Sequence, residues 1–198
     1  MSFALYELMR NPDLSERIAA EADALFAGGD PAAADLDLKA IDVTHRFVME
    51  NLRLHPVIPV HNRTAATAFE VDGSVVPARS AVLVAFPAAH FMAENFEEPD
   101  RFDIDRYLPP RSEHRKRGAY QPFGVGTHLC LGQRFTELMM VANLLLVAHH
   151  LELEMVPANY RLKLSPLPKF SPGRKFGFRV RRVRNPFSPA SGGSSHVH

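Results

Sequence analysis

The sequence predicts a mainly α fold with small β-sheets, an α+β chain, on three observations. Apolar residues recur at helical spacing through residues 2–55 and again after residue 131. Between these stretches, two β-branched segments meet at Asp72-Gly73, a hairpin signal. Hydrophobic residues make up 46% of the 198, enough to bury one good core with a small subdomain.

Ser2 to Arg10 is helix-like, with Phe3, Leu5, Leu8 and Met9 apolar. Asn11-Pro12 reads as a break and a new start, since proline is tolerated at the first helical position. That second helix runs to about Phe26, where Gly28-Gly29 ends it, and a third spans about Leu38 to His55 and stops before Pro56. Arg63 to Val71 and Val75 to Val84 read as the strands of the hairpin. His90 to Phe96 reads as a short helix, and residues 97–120 as a polar, proline- and charge-rich meander. Leu131 to about His150 is the longest helical candidate, and strands return at Leu151 to Val156, Tyr160 to Leu164 and Lys175 to Val183. Asn185 to His198 is rich in Pro, Gly and Ser and reads as a disordered tail, which leaves one folded region over residues 1–184.

Charge and composition narrow the function. Net charge is +1, so nothing demands a nucleic-acid partner. The basic cluster Arg174, Lys175, Arg179, Arg181, Arg182 and Arg184 alternates with Phe176, Phe178, Val180 and Val183, as a half-buried strand does. The ten histidines are scattered, with no His-x-x-x-His pair beside a carboxylate. The longest apolar run, Met139 to Ala148, contains Asn143 and is shorter than the roughly 20 residues a bilayer span takes. No signal sequence opens the chain. The expectation is a chain without a membrane segment of its own, in a reducing compartment, the cytoplasm, with any N-terminal anchor lying outside this sequence.

The chemistry concentrates at residues 123–132, Phe-Gly-Val-Gly-Thr-His-Leu-Cys-Leu-Gly, which carry the only cysteine. One cysteine closes no intrachain disulfide and falls short of the four ligands of a structural zinc site. If Cys130 ligates a metal, a cofactor supplies the rest. Gly124, Gly126 and Gly132 allow positive φ and close approach of something flat to the backbone. A helix starting near Cys130 would add its positive end and favour the thiolate. The alternative is a small buried apolar residue, the common fate of an isolated cysteine.

A second pattern is Glu50-Asn51-Leu52-Arg53. On an exposed helix, an i,i+3 pair such as Glu50 and Arg53 is worth only about 0.2–0.5 kcal/mol. Here Phe47, Val48, Leu52 and Leu54 make the helix apolar nearly all round, so the pair is expected to be buried and to need further partners.

Phe123, Gly126, His128, Cys130 and Gly132 match the signature Phe-x-x-Gly-x-(His/Arg)-x-Cys-x-Gly, and on it the chain resembles the cytochrome P-450 family of haem-thiolate monooxygenases. Glu50 to Arg53 matches that family's Glu-x-x-Arg motif, and Pro99-Asp100-Arg101-Phe102 looks like its Pro-x-Arg-Phe segment. The resemblance runs from about Ser2 to Arg182 and implies the C-terminal, proximal half of the cytochrome P-450 fold. It implies haem b (iron protoporphyrin IX) as cofactor, with Cys130 as the axial ligand of the iron, and a cysteinate there donates electron density that favours O–O cleavage. Phe123 and Gly124, with the amides around Leu131 and Gly132, would shield and moderate the sulfur. His128 and Arg63 are the candidates for the haem propionates. Glu50, Arg53 and Arg101 would brace the core, while Pro56 to Val60 and Leu167 would pass near substrate.

The implied activity is oxidation of a small organic substrate with O2 and electrons from a partner, a ferredoxin or a flavoprotein reductase. Such an acidic partner could dock on Arg115, Lys116 and Arg117. A helix that begins at Met1 without a preceding cap reads as cut. By resemblance, its earlier part carries an acid–alcohol pair for oxygen activation, and that part would lie outside this chain with most of the substrate pocket, unless a second chain supplies the distal half. A non-catalytic haem-binding or sensing module, or an inactive fragment, is the alternative.

Overall fold

Helix α1 (Ser2–Arg10) ends where the sequence predicts, because Asn11 caps it. The Asn11 amide and its side-chain Nδ2 both donate to the Glu7 carbonyl, at 3.1 and 2.7 Å. Pro12 then opens α2 (Pro12–Leu25), which passes into a 3-10 turn at Phe26–Gly28. The structure, a computed structural model, describes residues 1–162 and 171–187. Those residues divide into two units, one of Met1–Thr44, Leu138–Leu162 and the residues from Pro172 onward, the other centred on His45–Glu137.

In the first unit, α1 packs on α2 and on strand β5 (Leu151–Val156). Its core is Ala4, Tyr6 and Leu8 of α1, Ile18 and Ala22 of α2, and a stripe of α4 (Gln133–His150) formed by Met140, Val141, Leu144, Leu145 and Ala148. β5 pairs antiparallel with β6 (Gly177–Val183), Leu151 opposite Val183. Across that ribbon Glu152 receives Arg181 and Arg182 at 2.8 and 3.0 Å, and Glu154 receives Arg179. The basic alternation is thus a cross-strand ion ladder. The expected tail starts inside packed structure: Asn185 donates to the His149 carbonyl at 2.8 Å, and Phe187 stacks on His150 at 4.0 Å. Residues 188–198 lie outside the described residues.

Helix α3 (Asp42–Leu54) starts under a clamp from α2. The Glu21 carboxylate accepts from the Val43 and Thr44 amides at 3.0 and 2.8 Å and from the Thr44 hydroxyl at 2.5 Å. These first-turn amides have no partner within the helix, and a negative charge suits that end. The clamp explains why α3 begins at Asp42 rather than Leu38.

In the second unit, α3 buries every residue from Arg46 to Leu54 except Met49. The two long strands expected after it are each split. β1 (His61–Thr64) pairs with β4 (Ala81–Val84), and β2 (Phe69–Val71) with β3 (Ser74–Val76) about Asp72-Gly73. Asp72 and Gly73 have φ of 47° and 73°, the paired left-handed geometry of a tight hairpin. Pro77 follows β3 and offers no N–H to a ladder, so pairing stops there. The short helix expected at His90–Phe96 is instead a 3-10 turn at Phe86–Phe91, with Pro87 in its first turn. Tyr160 to Leu162 form no strand, and Lys163 and Leu164 lie outside the described residues. Among the described residues no helix is long and apolar enough to cross a membrane.

Glu21→Ala strips the start of α3 of its acceptor. It is expected to lower stability by about 1–2 kcal/mol, read as a shift of the urea midpoint at unchanged slope.

Candidate functional site

The loop that carries Cys130 is closed by its own backbone. The Gly124 amide donates to the Gln121 carbonyl at 3.2 Å, the Leu129 amide to the Gly126 carbonyl at 3.1 Å, and the Cys130 amide to the Phe123 carbonyl at 3.0 Å. Gly124 and Gly126 have φ of 78° and 67°, a region that a side chain would strain. A Cβ on Gly126 would meet nothing within 4 Å, so that side of the loop is open. Cys130 is a free, exposed cysteine, which removes the reading of a buried apolar residue. Helix α4 starts at Gln133 rather than near Cys130, with the Cys130 carbonyl accepting from the Gln133 amide at 3.3 Å. Gly132 intervenes, and its carbonyl takes the Thr136 amide at 2.8 Å.

Apolar side chains flank the thiol in water. Leu131 is fully exposed, Phe135 70% and Leu129 46% exposed. Neighbouring exposed apolar side chains of this kind are what a binding face presents. His128 is exposed, and Phe123 and Arg63 are half-buried. Arg63 lies on β1, where its guanidinium donates to the Asn62 carbonyl at 2.8 Å, and among the described residues it has no carboxylate partner. Val57, Ile58 and Val60, in the segment expected near substrate, are exposed, while Leu167 lies outside the described residues. No group of three or more His, Cys, Asp or Glu that could hold a metal occurs among the described residues, so a metal at Cys130 brings its other ligands with it. A lone exposed thiol between apolar shoulders fits a flat, largely apolar macrocycle with an iron at its centre.

Behind the loop lies a buried ion network built on α3. Glu50, wholly buried, accepts five hydrogen bonds. Its Oε1 takes Arg53 at 2.8 Å, Arg106 at 3.1 Å and the Asp103 amide at 2.9 Å. Its Oε2 takes Arg53 Nε at 2.8 Å and the Tyr107 hydroxyl at 3.0 Å. Arg53 spends its remaining donors on the carbonyls of His90, Pro99 and Arg101, at 2.7, 2.7 and 3.1 Å. Arg106 also binds Glu113 at 2.5 Å, so two buried guanidiniums face two buried carboxylates and no net charge is left inside. Phe96, fully buried, has the Arg53 and Arg106 guanidiniums 5.0 and 5.7 Å from its ring centre. Burial and the charge of Glu50 raise the Tyr107 hydroxyl well above its ordinary range, so it donates as a neutral phenol.

The second arginine of this network is Arg106, not Arg101. The Arg101 side chain is 64% exposed, and among the described residues its ion pair is with Glu98, at 3.0 Å. It is the Arg101 carbonyl that enters the network, accepting from both Arg53 and Arg106. The chain has two arginine–aromatic pairs five residues apart, Arg101-Phe102 and Arg106-Tyr107, and spacing alone does not say which turns inward. The 3-10 turn at Ile104–Tyr107, capped by the Asp103 side chain, decides it by burying Arg106 and Tyr107. His90 was also not foreseen, because a single histidine after two alanines carries no signal. It is fully buried and bonded on both ring nitrogens.

Comparison with known proteins bears on this arrangement. The profile of the family described as Cytochrome P-450 matches residues 1–173. A sterol 14alpha-demethylase of Mycolicibacterium vanbaalenii is 32% identical over 163 residues, 81% of this chain and 36% of that protein. A cyclooctat-9-en-7-ol 5-monooxygenase of Streptomyces melanosporofaciens is 35% identical over 67% of this chain and 28% of its own length. The solved haem domain of cytochrome P-450DA superposes with a TM-score of 0.77 at 31% identity, covering 93% of this chain and 40% of that one. The chain therefore spans about a third of the length of the relatives it matches.

Removing one buried partner should separate the two arginines. Arg106→Ala leaves Glu50 and Glu113 underpaired and is expected to cost about 3–5 kcal/mol, while Arg101→Ala leaves the denaturant midpoint unmoved. A second expectation concerns pH. Burial, aided by the charge of Arg53, pushes the His90 pKa down from 6.5 to about 4. The unfolded chain then binds a proton that the native chain refuses, so this contribution is whole above pH 6.5 and is lost as pH falls toward 4. It amounts to at most about 3 kcal/mol. His90→Gln, which does not titrate, should flatten the fall in stability over that window.

Proposed function

Because this chain belongs to the cytochrome P-450 family, we propose that it supplies the haem-binding portion of a haem-thiolate monooxygenase, in which Cys130 would hold the iron of haem b. The observation that carries this reading is the solitary exposed thiol on a hydrogen-bonded glycine loop, set between exposed apolar residues. When bound, the haem supplies the iron chemistry by which O2 and electrons from a ferredoxin or flavoprotein reductase oxidise a small organic substrate.

The residues of the chain hold and orient. The bond between the Cys130 amide and the Phe123 carbonyl fixes where the sulfur sits relative to the loop entry. Phe123 would shield the sulfur once the haem covers the loop, and Gly124 and Gly126 keep the turn without a side chain in the way. The amides around Leu131 and Gly132 moderate the charge of the sulfur. Arg63, without a carboxylate partner among the described residues, and the exposed His128 would pair with the propionates. Val57, Ile58 and Val60 offer apolar surface to the substrate. Arg115 and Arg117 are exposed and available to an acidic electron donor, whereas the Lys116 ammonium already binds the Glu94 and Asn95 carbonyls at 2.8 and 2.9 Å. The remainder of a family haem domain would come from polypeptide beyond these residues, in the same chain or a second one.

The test is the absorption spectrum of the haem-supplied, dithionite-reduced protein under carbon monoxide, beside Cys130→Ser. The expected result is a strongly red-shifted Soret band in the parent and its loss in the variant. The same spectrum from both overturns the reading. Thiolate ligation without oxidation of any substrate under electron supply would favour a non-catalytic haem-binding or sensing module.

A further inference from the structure

We propose that His90 is a positioning residue for Cys130, bolting the entrance of the cysteine loop to α3 through both of its ring nitrogens. The inference rests on the haem-thiolate reading above. His90 Nδ1 lies 3.0 Å from the Arg53 carbonyl oxygen, which can only accept, and Nε2 lies 2.9 Å from the Gln121 amide, which can only donate. The bond pattern therefore assigns one state, a neutral imidazole protonated on Nδ1. A cationic ring could not accept the Gln121 amide, and the other tautomer would fail at both ends.

The attachment is double. The Arg53 guanidinium returns a bond to the His90 carbonyl at 2.7 Å, so the two residues are joined side chain to backbone in both directions. On the far side, Gln121 is the node from which the loop departs. Its amide is held by His90, and its carbonyl accepts the Gly124 amide at 3.2 Å. Two residues on, the Phe123 carbonyl holds the Cys130 amide. Tyr120 completes the seat, its ring stacked on the His90 imidazole at 5.7 Å and its hydroxyl donating to the Met49 carbonyl at 3.1 Å. A continuous series of bonds thus runs from the Glu50 network through Arg53, His90, Gln121 and Phe123 to the cysteine.

This linkage acts on where the sulfur lies, so its loss should show in the ligation state of folded protein. The test compares the full chain with His90→Phe, which fills the space without either bond, and His90→Gln, which has a donor and an acceptor on one side chain. Each is supplied with haem, reduced under carbon monoxide and checked for cooperative unfolding. In His90→Phe the ratio of red-shifted to unshifted Soret band is expected to fall about tenfold, and in His90→Gln to recover most of the parent ratio. A parent-like ratio in folded His90→Phe overturns the proposal. A parent chain with no red-shifted band overturns the haem-thiolate reading instead. Should His90→Phe fail to fold, hydrogen exchange of the parent reads the bond directly: the Gln121 amide should exchange at least about tenfold more slowly than those of Val125 and Thr127, and equal rates overturn the proposal.

Discussion

Glu50 is a carboxylate with no access to water, and the arrangement of the second unit follows from that. An ionised carboxyl is expensive to bury unless every lone pair is met and its charge is balanced. Here five donors converge on it, drawn from α3 itself, from the amide of Asp103 and from the side chains of Arg106 and Tyr107. Meeting that demand draws residues 97–113 onto the helix. The path of the meander thus answers to electrostatics as well as to apolar contact, with Phe96 buried under both guanidiniums and Phe102 packed on Phe47.

The same network gives the cysteine loop a rigid support. A ligand loop on exposed backbone would wander, and glycines at positive φ add freedom rather than remove it. The loop compensates by bonding to itself and by hanging from Tyr120 and Gln121, whose anchors reach α3 within a single side chain. Rigid elements that hold a reactive group through a second layer of bonds are what a metal ligand needs for a defined geometry.

Much of this was legible in the residues, and the rest was not for identifiable reasons. Helix α1, strand β5 and the hairpin at Asp72-Gly73 stand where periodicity and turn chemistry put them, because each is dictated locally. The burial of Glu50 and Arg53 followed from the apolar neighbours on their helix. The start of α3 did not, since its capping carboxylate comes from Glu21, on another helix. The resemblance of Pro99 to Phe102 to a family segment points to Arg101, and only tertiary structure shows that Arg106, five residues on, is the one turned inward. His90 gave no sign, as its role depends on a carbonyl and an amide that every residue possesses.

The acceptors that complete the coordination of Arg53 and Arg106 include the main-chain oxygens of His90, Glu97, Glu98, Pro99 and Arg101. A peptide oxygen is the same whatever side chain accompanies it. The stretch from Glu97 to Arg101 can therefore drift in sequence while its path stays under strict constraint: substitutions there are silent, but insertions and deletions are not. Alignments weighted by residue identity will undervalue such a segment, and its length between fixed flanks is the quantity that descent should preserve.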